Sequence, residues 1–247
     1  MFLWSLMLGA WCFSLSAHAG VYSSSFSSGF VNGGVIPDGN PTGWSDTRTI
    51  GPISDHYITD VSVKLNISGG YNGDLYGYLS HAGVLIPLVN RVGVTGTGGG
   101  DAFGYANTGF DVTLSDSGTF DIHFYGQHSR TFNGSGQLLN APYSAWQPDG
   151  RNIDPNSSPS TFDSASRASF ASTYTGKDPN GSWTLFFADM SAGEQSTLVS
   201  WELDFTAAVP EPVNVALAVF GGVFVVVGLW RTPRLRGFIK EIQGNSR

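Results

Sequence analysis

Four histidines follow residue 19, at His56, His81, His123 and His128, and they are the natural starting point for any catalytic reading. Nucleophilic hydrolysis needs a hydroxyl or thiol, a base within hydrogen-bond reach and a third group that orients the base. Ser80 and His81 are adjacent, so in a strand they would point to opposite faces. No Gly-x-Ser-x-Gly turn presents a nucleophile. His123 and His128 stand five apart, and a zinc ion held by them would need a third ligand. Each histidine therefore reads as a loop or surface residue. The single cysteine, Cys12, excludes an internal disulfide and a cysteine metal cluster. The glycine-rich run at residues 93–101, GVTGTGGGD, has no phosphate-loop lysine and opens no helix, so it reads as a turn.

These residues are carried by a chain of 247, long enough for one domain and its appendages. Only 13% of the residues are charged, while 33 are Gly and 17 Phe, 9 Tyr and 7 Trp supply aromatic bulk. That balance suits short strands joined by tight turns. Between Gly20 and Ala208 there are 7 Lys and Arg against 17 Asp and Glu, 7 − 17 = −10. An acidic body of this kind argues against a nucleic-acid partner, which would need clustered cations for its phosphates.

The two ends have a different character. Residues 2–15 are apolar and lead to Ala17-His18-Ala19, the small-x-small pattern of a signal peptide cut after Ala19. Residues 1–19 are thus expected to be a signal peptide handled by the Sec export machinery. Near the other end, residues 213–230 are apolar except for Asn214. At 1.5 Å per residue they just cross a bilayer core of about 30 Å. Arg231, Arg234, Arg236 and Lys240 follow, and the positive-inside rule places residues 237–247 in the cytoplasm with the body outside. The run Val209-Pro210-Glu211-Pro212, the span and the arginines, covering residues 209–236, resemble the PEP-CTERM sorting signal of Gram-negative bacteria. The resemblance implies an exosortase as partner, an anchored precursor in the inner membrane, and delivery to the cell surface or extracellular matrix. The two prolines would keep the segment extended and open to a protease cleft.

The body, residues 20–208, alternates with period two. Val61, Val63, Leu65 and Ile67 share a face, as do Phe110, Val112 and Leu114. Phe120, Ile122 and Phe124 repeat the pattern, followed by Trp183, Leu185 and Phe187, and by Val199, Trp201, Leu203 and Phe205. Turn clusters such as Asn72-Gly73-Asp74 and Asp178-Pro179-Asn180-Gly181 separate these segments. The expectation is an all-β, jelly-roll-like antiparallel β-sandwich without helices.

Two stretches carry a further resemblance. Gly73-Asp74-Leu75 with Leu79, Gly83 and Leu88, and Asn180-Gly181 with Trp183, Leu185, Asp189, Leu198, Trp201 and Leu203, are similar to the P domain of subtilisin-like proprotein convertases. The likeness runs over residues 35–207 and is weakest between 125 and 175. It implies the same sandwich and, since related sandwiches hold structural calcium, makes Asp60, Asp74 and Asp189 candidate ligands for that oxygen-seeking ion. The other reading of Asp74 and Asp189 is that they accept hydrogen bonds from turn amides. No other cofactor is implied. Two functions stay open: an exported, non-catalytic surface or matrix protein, and an accessory chain beside a separately encoded serine endopeptidase. Tyr143, Trp146 and Tyr174 read equally well as sugar-stacking surface rings or as core.

Overall fold

The computed structural model describes residues 19–97, 101–209, 220–221 and 223–224. Ala19–Val209 forms one compact unit, a two-sheet sandwich. Its strands are β1 (Ala19–Phe26), β2 (Trp44–Ile50), β3 (Tyr57–Gly69), β4 (Leu75–His81), β5 (Val84–Asn90), β6 (Gly109–Ser115), β7 (Leu138–Leu139), β8 (Gly181–Asp189) and β9 (Ser196–Ala208). One sheet runs β1-β9-β3-β6-β7 and the other β2-β8-β4-β5. All pairings are antiparallel except β6 with the short β7. Two short helices, α1 (Pro159–Ser164) and α2 (Phe170–Tyr174), correct the expectation of a body without helices. Residues 220, 221, 223 and 224 are helical. Among the described residues, no helix is long and apolar enough to cross a membrane.

The alternation is cashed in as burial. Val61, Val63, Leu65 and Ile67 of β3 face Trp183, Leu185 and Phe187 of the opposite sheet across a core to which Trp201, Leu203 and Phe205 also belong. Gly77 is required by this packing: a Cβ there would lie 2.2 Å from the Phe187 ring. A polar bridge joins the sheets, because the Trp201 indole N–H of one donates to Asp46 of the other at 2.8 Å, and Arg48 Nε reaches the same carboxylate oxygen at 2.7 Å.

Two strand readings are corrected. In β9 the register with β3 shifts between Asn66 and Ile67. This bulge turns Leu198 inward and leaves Val199 44% exposed, so Val199 does not share the face of Trp201. Residues 122–127 form a 3-10 helix rather than a strand, begun by Asp121, whose side chain accepts from the His123 amide at 2.9 Å. A local side-chain cap here outcompetes ladder pairing. Trp146 and Tyr174 are fully buried and Tyr143 packs on the core; the core reading of these rings holds.

Candidate functional site

The end of β8 meets the start of β4, where Leu75 pairs with Asp189. The Met190 amide donates to the Asp74 carbonyl at 2.8 Å and locks the two segments together. Asp189 is fully buried. One of its oxygens accepts from the Ser191 amide at 3.1 Å, and the other, Oδ2, is buried with no hydrogen-bond partner. Asp38 sits on the same turn, its carboxylate accepting from the Gly193 amide at 3.0 and 3.3 Å. Burial pushes the Asp189 carboxyl up to about 6; the Ser191 amide opposes the rise, and the charges of Asp74 and Asp38 add to it. Asp74 is also raised, first by burial and further by Asp38, against Ser191 and Arg91. Like charges gathered in a poorly solvated turn hold protons more tightly.

Asp74 and Asp189 are therefore neighbours, as the calcium reading required, and Asp38 joins them. Asp60 does not: it lies exposed on β3, paired with Thr206 of β9 in the sheet that does not contain β4 and β8. The donors are all oxygens, which suits calcium, and the orphaned Asp189 Oδ2 is an unused one. Yet among the described residues no three His, Cys, Asp or Glu side chains are placed to hold one ion. The carboxylates alone fall short of the six to eight oxygens that calcium takes. The turn-acceptor reading accounts for Asp38 and for one oxygen of Asp189.

The second polar centre lies beneath residues 121–151. His123 and Asp149 are both fully buried, with Nδ1 and Oδ2 2.7 Å apart. This is the base-and-orienter half of a catalytic triad, but the other ring nitrogen, Nε2, faces the Val94 carbonyl at 2.9 Å rather than a hydroxyl. Arg151 closes the network on Asp149 at 3.2 Å and on Asp121 at 2.8 Å, and Arg167 reaches Asp121 at 3.3 Å. Burial alone would raise the Asp149 carboxyl, but His123 and then Arg151 outweigh it and hold it below the usual range. Asp121 is raised by burial and by Asp149 despite its two arginines.

His81 is likewise buried. Its ring nitrogens face the Ser182 carbonyl at 3.0 Å and the Asp178 carbonyl at 2.7 Å, and the ring stacks on Trp183 with centroids 4.0 Å apart. His81 and His123 are thus core residues, which corrects their reading as loop or surface groups. Ser80 points to the outer face, away from the imidazole. A surface hollow of about 450 Å³ lies beside this hairpin; besides His81 and the Tyr78 phenol its lining has no ionisable side chain. His128 stacks on Phe120 at 3.8 Å, and His56 pairs with Asp178 at 3.5 Å.

Sequence reasoning missed Asp38 and Asp149. A signal for both was present: each is the centre of a Pro-Asp-Gly triplet, at residues 37–39 and 148–150, and Gly39 and Gly150 have φ of 58° and 71°. Of the sorting and cleavage residues, Ala19 opens β1 and Val209 follows β9, whereas Ala17, Pro210, Glu211, Pro212, Arg231, Arg234 and Arg236, with the span 213–230 and tail 237–247, lie outside the described residues or almost wholly so. Residues 98–100 of the glycine-rich turn lie outside them too.

No known protein family matches the chain, and no curated protein matches it. Among solved structures it is similar to a chain in the complex of the Aeromonas sobria serine protease with the chaperone ORF2, at 14% identity and a TM-score of 0.41, covering 78% of this chain and 27% of that one. The Aeromonas sobria serine protease by itself gives 13% identity and a TM-score of 0.40, covering 78% and 28%. The chain thus spans little more than a quarter of the length of these structures.

Proposed function

We propose that the chain is an exported, non-catalytic cell-surface or extracellular-matrix protein. A signal peptide carries its sandwich across the inner membrane, and the sandwich is released outward by an exosortase cut near Val209-Pro210-Glu211-Pro212. The observation that supports a non-catalytic body is the occupation of both buried imidazoles. The nitrogens of His81 face two backbone carbonyls, and those of His123 face a carbonyl and a carboxylate that is itself tied to Arg151. A general base must meet a substrate proton within hydrogen-bond reach, and these rings have no free nitrogen to offer. The sorting half of the reading rests on the residues of the C-terminal segment.

The test compares wild type with Glu211→Ala in a host that has an exosortase. Sorting predicts wild-type protein outside the cell, shortened by roughly 35 residues, while the variant accumulates at full length in the inner membrane. Release without cleavage would mean extracting an 18-residue apolar span, at about 0.8 kcal/mol for each buried CH₂. Equal retention of both proteins would reduce the Pro-Glu-Pro run to a linker. The released protein, incubated with a broad peptide library, should show no turnover. Hydrolysis that vanishes on replacing His81 or His123 would overturn the non-catalytic reading and favour a protease-linked one.

A further inference from the structure

Gly20 is the residue that the Ala17-His18-Ala19 site would leave as the new N-terminus. In β1 it lies opposite Ala207 of β9, and its amide points away from that partner. It donates instead to Asp55 Oδ2 at 3.2 Å, and the Tyr22 hydroxyl donates to the same oxygen at 3.0 Å. Asp55, on the loop between β2 and β3, is 8% exposed. Among the described residues no Lys, Arg or His lies within ion-pair distance of it, and the neighbouring His56 is paired with Asp178. A nearly buried carboxylate held by two neutral donors is poorly compensated. A Cβ at position 20 would stand 2.6 Å from Asp55 Oδ2 and 2.7 Å from the Tyr22 ring, so any other residue would have to push these side chains aside.

We propose that cleavage before Gly20 creates the cation that Asp55 lacks: the new α-ammonium docks on the Asp55 carboxylate and locks β1 into the sheet. The inference rests on the export reading. Peptidase-catalysed hydrolysis breaks the Ala19–Gly20 C–N bond; the water oxygen stays on the Ala19 carboxylate, and the released amine takes up a proton to become the ammonium. One neutral N–H donor becomes a charged group with three donors at the same place, turning a neutral hydrogen bond into a charge-assisted one. The groups facing it are Asp55 from the β2–β3 loop, the Tyr22 phenol from β1 and Ala207 from β9, and Ser54 of the same loop bonds to Tyr22. Tyr22 is held above its ordinary value chiefly by its bond to Asp55 and so remains a neutral donor. The pair therefore titrates through the amine, whose ordinary value is about 8. An amine raised above that value in the folded state stabilises the fold below about pH 8, and the gain is lost as the pH rises through the folded value.

The processed protein, purified from the envelope or medium, is first sequenced from its N-terminus. Its α-amine is then titrated by pH-dependent reductive methylation, read by mass spectrometry of the N-terminal peptide, in wild type, Asp55→Asn and Tyr22→Phe. The docked pair predicts methylation at pH 8 that is roughly 3- to 10-fold slower in wild type than in Asp55→Asn, with Tyr22→Phe close to wild type. Thermal melts should separate wild type from Asp55→Asn at pH 7 and bring them together near pH 10. A Gly20 start whose amine titrates at its ordinary value in wild type overturns the proposal, and this holds even if Asp55→Asn does not fold. A start at Met1 overturns the export reading and removes the proposal with it.

Discussion

Replacing Asp189 by Asn tests the acidic turn most directly. A carboxyl raised from an ordinary 3.8 to about 6 binds its proton more tightly in the folded chain than in the unfolded one. Its contribution is fully present below about pH 4 and is lost as the pH rises through about 6. At about 1.4 kcal/mol per pH unit, the loss is about 3 kcal/mol, a large share of the 5 to 15 kcal/mol that holds a domain together. Asn keeps the oxygen that accepts from the Ser191 amide but cannot ionise. Its amide protons have no acceptor at the buried Oδ2 position, which costs about 1 to 3 kcal/mol at every pH. The variant should thus be less stable than wild type at pH 4 and should equal or exceed it at pH 7. Urea melts of both proteins at pH 4, 5, 6 and 7, run with a chelator so that only protons compete for Oδ2, give the difference directly. Taking the difference cancels most of the background from Asp74, Asp121 and Asp204, which are raised as well. A difference that stays constant from pH 4 to pH 7 would refute the claim that burial raises the Asp189 carboxyl.

Further substitutions probe the frame. Trp183→Ala and Trp201→Ala should each cost about 3 to 5 kcal/mol, since both rings are buried between the sheets; denaturant melts showing under 1 kcal/mol for both would contradict that packing. Asp149→Ala removes the shared partner of His123 and Arg151 and should cost about 3 to 5 kcal/mol, because the buried imidazole loses its carboxylate partner and Arg151 is left with Asp121 alone. Adding His123→Leu to it should cost clearly less than the sum of the two single changes, and additive losses in the same melts would mean that the network is not coupled.

The sandwich was legible where burial follows strand period, as in β3, β6 and β8, because there every second residue belongs to the core. It was not legible where the backbone departs from the ladder. A single bulge moves Val199 out and Leu198 in, and nothing in the alternating run TLVSWELDF marks where the extra residue falls. Residues 120–124 alternate as well as any strand, yet the Asp121 side chain ends the ladder. His81 and His123 depart from the surface reading, unlike His56 and His128, because their environment is made by distant chain. The carbonyls that hold His81 come from residues 178 and 182, and the carboxylate that holds His123 from residue 149. Spacing in sequence carries no trace of such contacts. Of the acidic turn, Asp74 and Asp189 could be found because each lies in a recognisable stretch. Asp38 reaches them only through the 191–193 turn.

Ala19 and Ala208 are directly opposed in the β1–β9 ladder, where facing Cα atoms lie about 4.5 to 5.5 Å apart. The sandwich therefore begins and ends at one corner, and its order of strands can be cut elsewhere. A two-residue turn between Ala207 and Gly20, which face each other in that ladder, would close β1 and β9 into a hairpin. Gly134, at an exposed tip with open space around it, is a place to open new ends, the kind of site where circular permutation is tolerated. The same geometry lets the body be inserted into a loop of another protein without prising that loop apart. Such a permutant would keep every strand pair while burying Gly20 in a peptide bond, and so would separate what the topology contributes from what a free amine adds.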